Sequence, residues 1–102
     1  MYPCGTWERL SNITMFYYTY ILLMSNNKFY IGYTSDLRRR MMEHNSGGNK
    51  TTKKSLPVKL IFYEAFLNED DAKRRERYFK THKGKTSLKI MIQKYLINNM
   101  GP

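Results

Sequence analysis

Phe29-Tyr-Ile-Gly-Tyr-Thr-Ser-Asp-Leu-Arg-Arg-Arg40 decides the fold of this chain. Phe29 to Thr34 is aromatic and β-branched, the composition of a strand. Ser35 or Thr34 can cap a helix that begins at Asp36, whose carboxylate suits the positive end of a helix dipole. Asn45, Ser46, Gly47 and Gly48 stop that helix. Helical spacing turns Leu37, Arg40, Met41 and His44 inward. Two of those four are ionisable and lie one turn apart, where an ordinary amphipathic helix carries leucine.

Upstream, Met15 to Met24 is apolar on both alternating faces, which fits a strand covered on both sides and flanked by neighbours. Ser25-Asn26-Asn27 makes the turn, with Asn27 suited to a left-handed conformation. The register is open: a two-residue loop places Tyr20 and Tyr30 on opposite faces, and a three-residue loop places them on the same face. If the two tyrosines share a site, the connection must be odd-numbered.

Downstream, Asn49 to Pro57 reads as a basic loop carrying Lys50, Lys53 and Lys54. Lys59 to Ala65, led by Val58, is a third strand. Asn68 caps a second helix whose first turn holds Glu69, Asp70 and Asp71. Its inward face is Ala72, Arg75, Glu76 and Phe79. Gly84 separates a last helix, Thr86 to Asn98, with a core stripe of Leu88, Met91, Ile92, Tyr95 and Leu96. The order strand-strand-helix-strand-helix-helix predicts an α+β fold, a small three-stranded antiparallel sheet flanked by helices. The domain spans 15–98, between an N-terminal tail (1–14), whose Trp7 and Leu10 can pack on the domain, and a C-terminal tail (99–102).

At 102 residues the chain holds one domain. Lys and Arg number 18 against 8 Asp and Glu, a formal charge of +10 that calls for an anionic partner, nucleic acid first. Cys4 is the single cysteine, which excludes an intrachain disulfide and a Cys-based zinc site. The longest apolar run falls short of the ~20 residues of a membrane span, and no basic region precedes it. A signal peptide is not expected, and the cytoplasm is the expected location.

These residues resemble the GIY-YIG nuclease superfamily over about Tyr17 to Tyr95. Tyr30-Ile31-Gly32 carries the second signature segment intact. Tyr18-Thr19-Tyr20 stands where the first would be and keeps its final tyrosine, a form similar to the small single-domain bacterial branch. The resemblance implies a three-stranded antiparallel sheet with flanking helices, and catalytic roles for Tyr20, Tyr30, Arg40, His44 and Glu76. Arg40 matches the arginine that contacts the scissile phosphate, and Glu76 the acidic residue that binds a single divalent ion, Mg²⁺ or Mn²⁺. The chain departs from some relatives at Tyr33, where they carry lysine, and at Leu88, where they carry asparagine.

On this reading the chain is a metal-dependent DNA endonuclease, selective for structure rather than sequence, in DNA repair or processing. Arg38, Arg39, Lys50, Lys53, Lys54 and Arg75 would grip the phosphate backbone, contacts that supply affinity but little sequence information. A protein partner is also possible. The rival readings are a nucleic-acid-binding module with little or no cleavage, and a structural domain in which Arg40 and Glu76 form an ion bridge between helices. Taken singly, a tyrosine on a strand is an ordinary packing residue and a lone histidine an ordinary structural one. The joint spacing carries the functional reading.

Overall fold

The computed structural model describes residues 15–100, so the expectations for Trp7, Leu10 and the rest of 1–14 lie outside the described residues. Strands β1 (Tyr17–Leu23), β2 (Phe29–Thr34) and β3 (Lys59–Phe66) form one antiparallel sheet in the order β2-β1-β3. Helix α1 (Leu37–Asn45) follows β2, and a one-turn helix α2 (Lys50–Lys53) follows α1. Three helices follow β3: α3 (Glu69–Phe79), α4 (His82–Met91) and α5 (Gln93–Met100). The fold is α+β, and β1 is central, as its two-sided apolar pattern requires.

The alternation of β1 divides the core in two. Tyr20 and Leu22 point to one face, where Met24 and Val58 join them and Leu37 and Met41 of α1 cover them. Ile21 points to the other face and packs with Ile31, Phe79 of α3 and Leu88 of α4. Thr19 on that face is fully buried, and its hydroxyl donates to the Ala72 carbonyl at 2.7 Å, which ties α3 to the centre of the sheet. A buried hydroxyl with such a partner avoids the cost of about 1–3 kcal/mol for an unmet polar group.

Several local expectations change. Asp36 is itself the cap of α1, accepting from Arg39 N, while the Thr34 hydroxyl accepts from Asp36 N. The basic loop contains α2, capped by the Asn49 side chain, which accepts from Thr51 N and Thr52 N. The last helix is two helices that break at Ile92 (φ −112°, ψ 26°), and the second runs to Met100 rather than stopping at Asn98. Of the expected core stripe only Leu88 is fully buried, and Met91 is 46% exposed. The reason is placement: α4 packs against α3, while α5 meets the rest of the protein chiefly through α4.

Gly84 does not separate helices. It lies in the first turn of α4, with its N–H donating to the Thr81 cap at 3.0 Å. The turn from α3 into α4 is so tight that a Cβ at Gly84 would overlap the Tyr78 carbonyl. Gly84→Ala is therefore expected to destabilise the protein by about 1–3 kcal/mol through backbone displacement, read as a lower urea midpoint.

Candidate active site

Tyr20 and Tyr30 share a face. Tyr20 pairs with Gly32 and Leu22 with Tyr30 across β1 and β2, and the connection Met24–Lys28 is odd-numbered. Asn27 adopts the left-handed conformation (φ 65°) that closes it. The two rings then lie on a diagonal, with centroids 6.3 Å apart. The Tyr20 ring passes over the bare backbone of Gly32, where any Cβ would overlap its ring and hydroxyl. The glycine of the signature segment is thus a passage for the neighbouring strand's phenol toward the open edge of β2.

Helix α1 brings Arg40 and His44 to that phenol. Arg40 Nε donates to Tyr20 Oη at 3.3 Å, and His44 Nε2 lies 2.9 Å from the same oxygen. The His44 ring packs edge-on against Tyr30, with centroids 5.0 Å apart. Burial pushes the Tyr20 hydroxyl up to about 12, against an opposing pull from Arg40, so the phenol keeps its proton at neutral pH. Burial and the Arg40 charge lower His44, which is therefore a neutral imidazole. Hydrogen bonds from Arg40 to Tyr20 and Glu43 raise the guanidinium further, leaving it permanently cationic. The Arg40–Glu43 pair at 3.1 Å is solvent-exposed and contributes about 0–1 kcal/mol, too little to explain an arginine on the inward face. Its contact with Tyr20 explains it.

Two supporting residues escaped the sequence reading. The fully buried Thr52 places Oγ1 2.9 Å from His44 Nδ1, and Asn49 Nδ2 donates to Tyr30 Oη at 3.3 Å. Asn49 Oδ1 accepts from two backbone N–H groups of α2, so its amide can only turn its nitrogen toward Tyr30. An asparagine directly after Gly48 is a cap signal, but a four-residue helix among lysines has no periodicity to reveal it.

Glu76 arrives from the other layer. Ala72 lies level with Thr19 and Phe79 level with Ile21, so α3 runs past β2 from its Tyr33 end toward its Ile31 end. Glu69 at the start of α3 accepts a hydrogen bond from Tyr33, and Lys73 one turn later sits over the Tyr33 ring. Glu76 continues this row, ion-paired to Lys80 at 3.1 Å. No hydrogen bond or ion pair joins Glu76 to Tyr20, Tyr30, Arg40 or His44. Arg40 and Glu76 form no ion pair, contrary to the ion-bridge reading: Arg40 pairs with Glu43 and Glu76 with Lys80. Tyr20, Tyr30 and His44 pack together, Arg40 joins them through Tyr20, and Glu76 stands apart from them on α3.

Among the described residues no three His, Cys, Asp or Glu side chains gather as a metal cage. A lone carboxylate nevertheless suits Mg²⁺, which binds through one or two carboxylates and substrate phosphates and keeps several waters. The exposed i,i+4 pair with Lys80 offers only about 0.3–0.5 kcal/mol of competition.

The basic residues divide into engaged and available. Arg75 holds Glu64 through two nitrogens and stacks over Phe79 at 4.4 Å, so the fold itself occupies a guanidinium expected to face nucleic acid. Arg38, Lys50, Lys53 and Lys54 are exposed, and Arg39 reaches Glu43 only at 3.9 Å. Lys28, Lys85 and Lys89 line a groove of about 380 Å³ between the hairpin and the last helices, and they have no carboxylate partner among the described residues. No helix among the described residues is long and apolar enough to cross a membrane.

The neutral state of His44 carries a pH signature. Its native pKa lies below the ordinary 6.5, so the unfolded chain binds the proton first as pH falls. Stability from this site is complete above pH 6.5 and is lost as pH falls through the native value. Unfolding free energy against pH should decline on the acid side of 6.5 in the wild type and more shallowly in His44→Asn.

The GIY-YIG catalytic domain profile matches residues 16–89. The UPF0213 protein YsiG of Lactococcus lactis is 47% identical over 79 residues, covering 76% of this chain and 75% of the relative. The UPF0213 protein SAG0778 of Streptococcus agalactiae is 42% identical over 77 residues, covering 74% and 88%. The solution structure of the UPF0213 protein BH0048 from Bacillus halodurans superposes with a TM-score of 0.50 at 35% identity, covering 76% of this chain and 85% of that one. With the signature tyrosines diagonal across Gly32 and the α1 arginine and histidine on Tyr20, the chain belongs to the GIY-YIG nuclease family, among its small UPF0213 proteins.

Proposed function

We propose that this chain is a cytoplasmic, metal-dependent DNA endonuclease that hydrolyses phosphodiester bonds in DNA repair or processing, selecting structure rather than sequence. The observation that carries the reading is the cluster of Tyr20, Tyr30, Arg40 and His44 beside the edge strand β2.

Phosphodiester hydrolysis needs a nucleophilic water, neutralisation of the non-bridging oxygens and relief of charge on the leaving oxygen. Arg40 supplies the second need. Its Nε is fixed on Tyr20 and its Nη1 on Glu43, while Nη2, on a side chain 37% exposed, meets a phosphate oxygen. Tyr30, held by Asn49, orients the attacking water and, reacting as its phenolate with the phenol proton already lost to solvent, takes the water's proton. Tyr20, protonated and braced by two partners, donates to the phosphate. Glu76 would hold the divalent ion, which supplies Lewis acidity at the leaving oxygen when bound.

The backbone grip has two arms. Arg38, Arg39, Lys50, Lys53 and Lys54 lie on the α1–α2 side. Lys28, two residues before Tyr30, leads into the groove with Lys85 and Lys89. Two strand residues span ~7 Å, about one step along a nucleic-acid backbone, so Lys28 suits a phosphate next to the scissile one. The sequence dedicates no helix to base readout, which fits recognition of backbone shape.

Glu76→Ala should abolish Mg²⁺- or Mn²⁺-dependent cleavage in a gel assay while DNA binding survives by fluorescence anisotropy. A wild-type protein free of contaminating nuclease that cuts no branched, nicked or plain DNA with either ion would sink the endonuclease and favour the binding module. The triple variant Lys28→Ala/Lys85→Ala/Lys89→Ala should flatten the log–log dependence of affinity on salt by about 2–3, at ~0.9 per lost phosphate contact. An unchanged slope would remove that groove from the DNA path.

A further inference from the structure

Arg40, Tyr20, His44 and Thr52 form one chain of hydrogen bonds whose protons do not all find acceptors. Arg40 Nε–H can only donate to Tyr20 Oη. The neutral imidazole between Tyr20 and Thr52 carries one proton, with Oη 2.9 Å from Nε2 and Oγ1 2.9 Å from Nδ1. Two arrangements satisfy these distances. In the first, Tyr20 donates to Nε2 and Nδ1–H donates to Thr52, which strands the Thr52 proton. In the second, Thr52 donates to Nδ1 and Nε2–H donates to Tyr20, which frees the Tyr20 proton.

Access decides between them. Tyr20 is as fully buried as Thr52, but its hydroxyl adjoins the half-exposed Arg40 side chain, the direction from which a phosphate can arrive. Thr52 is fully enclosed, and its hydroxyl meets no acceptor among the described residues except His44. A hydroxyl proton stranded there costs the full desolvation penalty. The free proton of Tyr20 instead lies beside Arg40, where a phosphate oxygen drawn in by the guanidinium can accept it. The bond made by one imidazole nitrogen fixes which form the other takes.

We propose that Thr52 is a positioning residue: its hydroxyl donates to His44 Nδ1, fixes His44 as the Nε2–H tautomer and leaves the Tyr20 proton for an oxygen of the substrate phosphate. Tyr20 is thereby a preset donor rather than a base, which leaves the water to Tyr30. Only the last step, donation to substrate, rests on the nuclease reading. The tautomer is a property of the resting protein.

The test is ¹⁵N NMR of histidine-labelled protein at neutral pH, with exposed His82 as the internal reference. The expected wild-type spectrum has a protonated Nε2 and an unprotonated, hydrogen-bonded Nδ1 at His44. Thr52→Val should move both resonances toward the tautomer average and lower turnover by about 10- to 100-fold, the usual effect of losing a group that orients a site histidine, with KM little changed. Thr52→Ser should restore both. A wild-type Nδ1–H tautomer overturns the proposal, as does a Thr52→Val protein with unaltered resonances and turnover. If no protein cleaves DNA, wild type included, the nuclease reading fails while the wild-type spectrum still decides the role of Thr52.

Discussion

The passage of the Tyr20 ring over Gly32 is the contact on which the rest of the site depends. It works because β2 is an edge strand: a phenol that crosses it reaches the boundary of the sheet rather than another strand. The ring stays fully buried, yet its hydroxyl arrives where Arg40 and His44 can reach it from α1. The whole side chain is thus buried, with its oxygen beside a half-exposed guanidinium. A side chain at position 32 would break this arrangement by meeting the Tyr20 ring and hydroxyl first.

Around that contact the fold builds two layers of support with different chemistry. On the α1 face the support is polar and local: α2 caps itself with Asn49 and presents Thr52, and these two side chains hold Tyr30 and His44. On the other face it is apolar, with Phe79 and Leu88 packed on Ile21 and Ile31, so α3 is anchored by core packing. The hydrogen bonds contribute about 0.5–1.5 kcal/mol each. Their larger effect is to fix which oxygens and nitrogens face the open edge.

Tyr33 shows how a departure from the family pattern is absorbed. It turns to the α3 face, stacks on Tyr17, donates to Glu69 and lies under Lys73. A cation therefore stands next to this position although the strand itself carries none, brought by the helix that also carries Glu76.

The sequence by itself determined the order of the three strands, with α1 and α3 between and after them, and the central place of β1. It also determined the odd connection required for Tyr20 and Tyr30 to share a face, and the inward phase of Arg40 and His44. Those properties follow from periodicity and turn chemistry, which are local. It left the register open, hid α2 within a lysine-rich stretch, and misjudged Gly84 and the last helix, because a four-residue helix has no period and a close approach to a carbonyl six residues away leaves no local mark. Only the tertiary structure decided that Arg75 belongs to Glu64, that Arg40 and Glu76 do not pair, and that Thr52 stands behind His44. Each of these depends on which long-range neighbour lies within about 3 Å, a quantity fixed by how α1, α2 and α3 dock on the sheet.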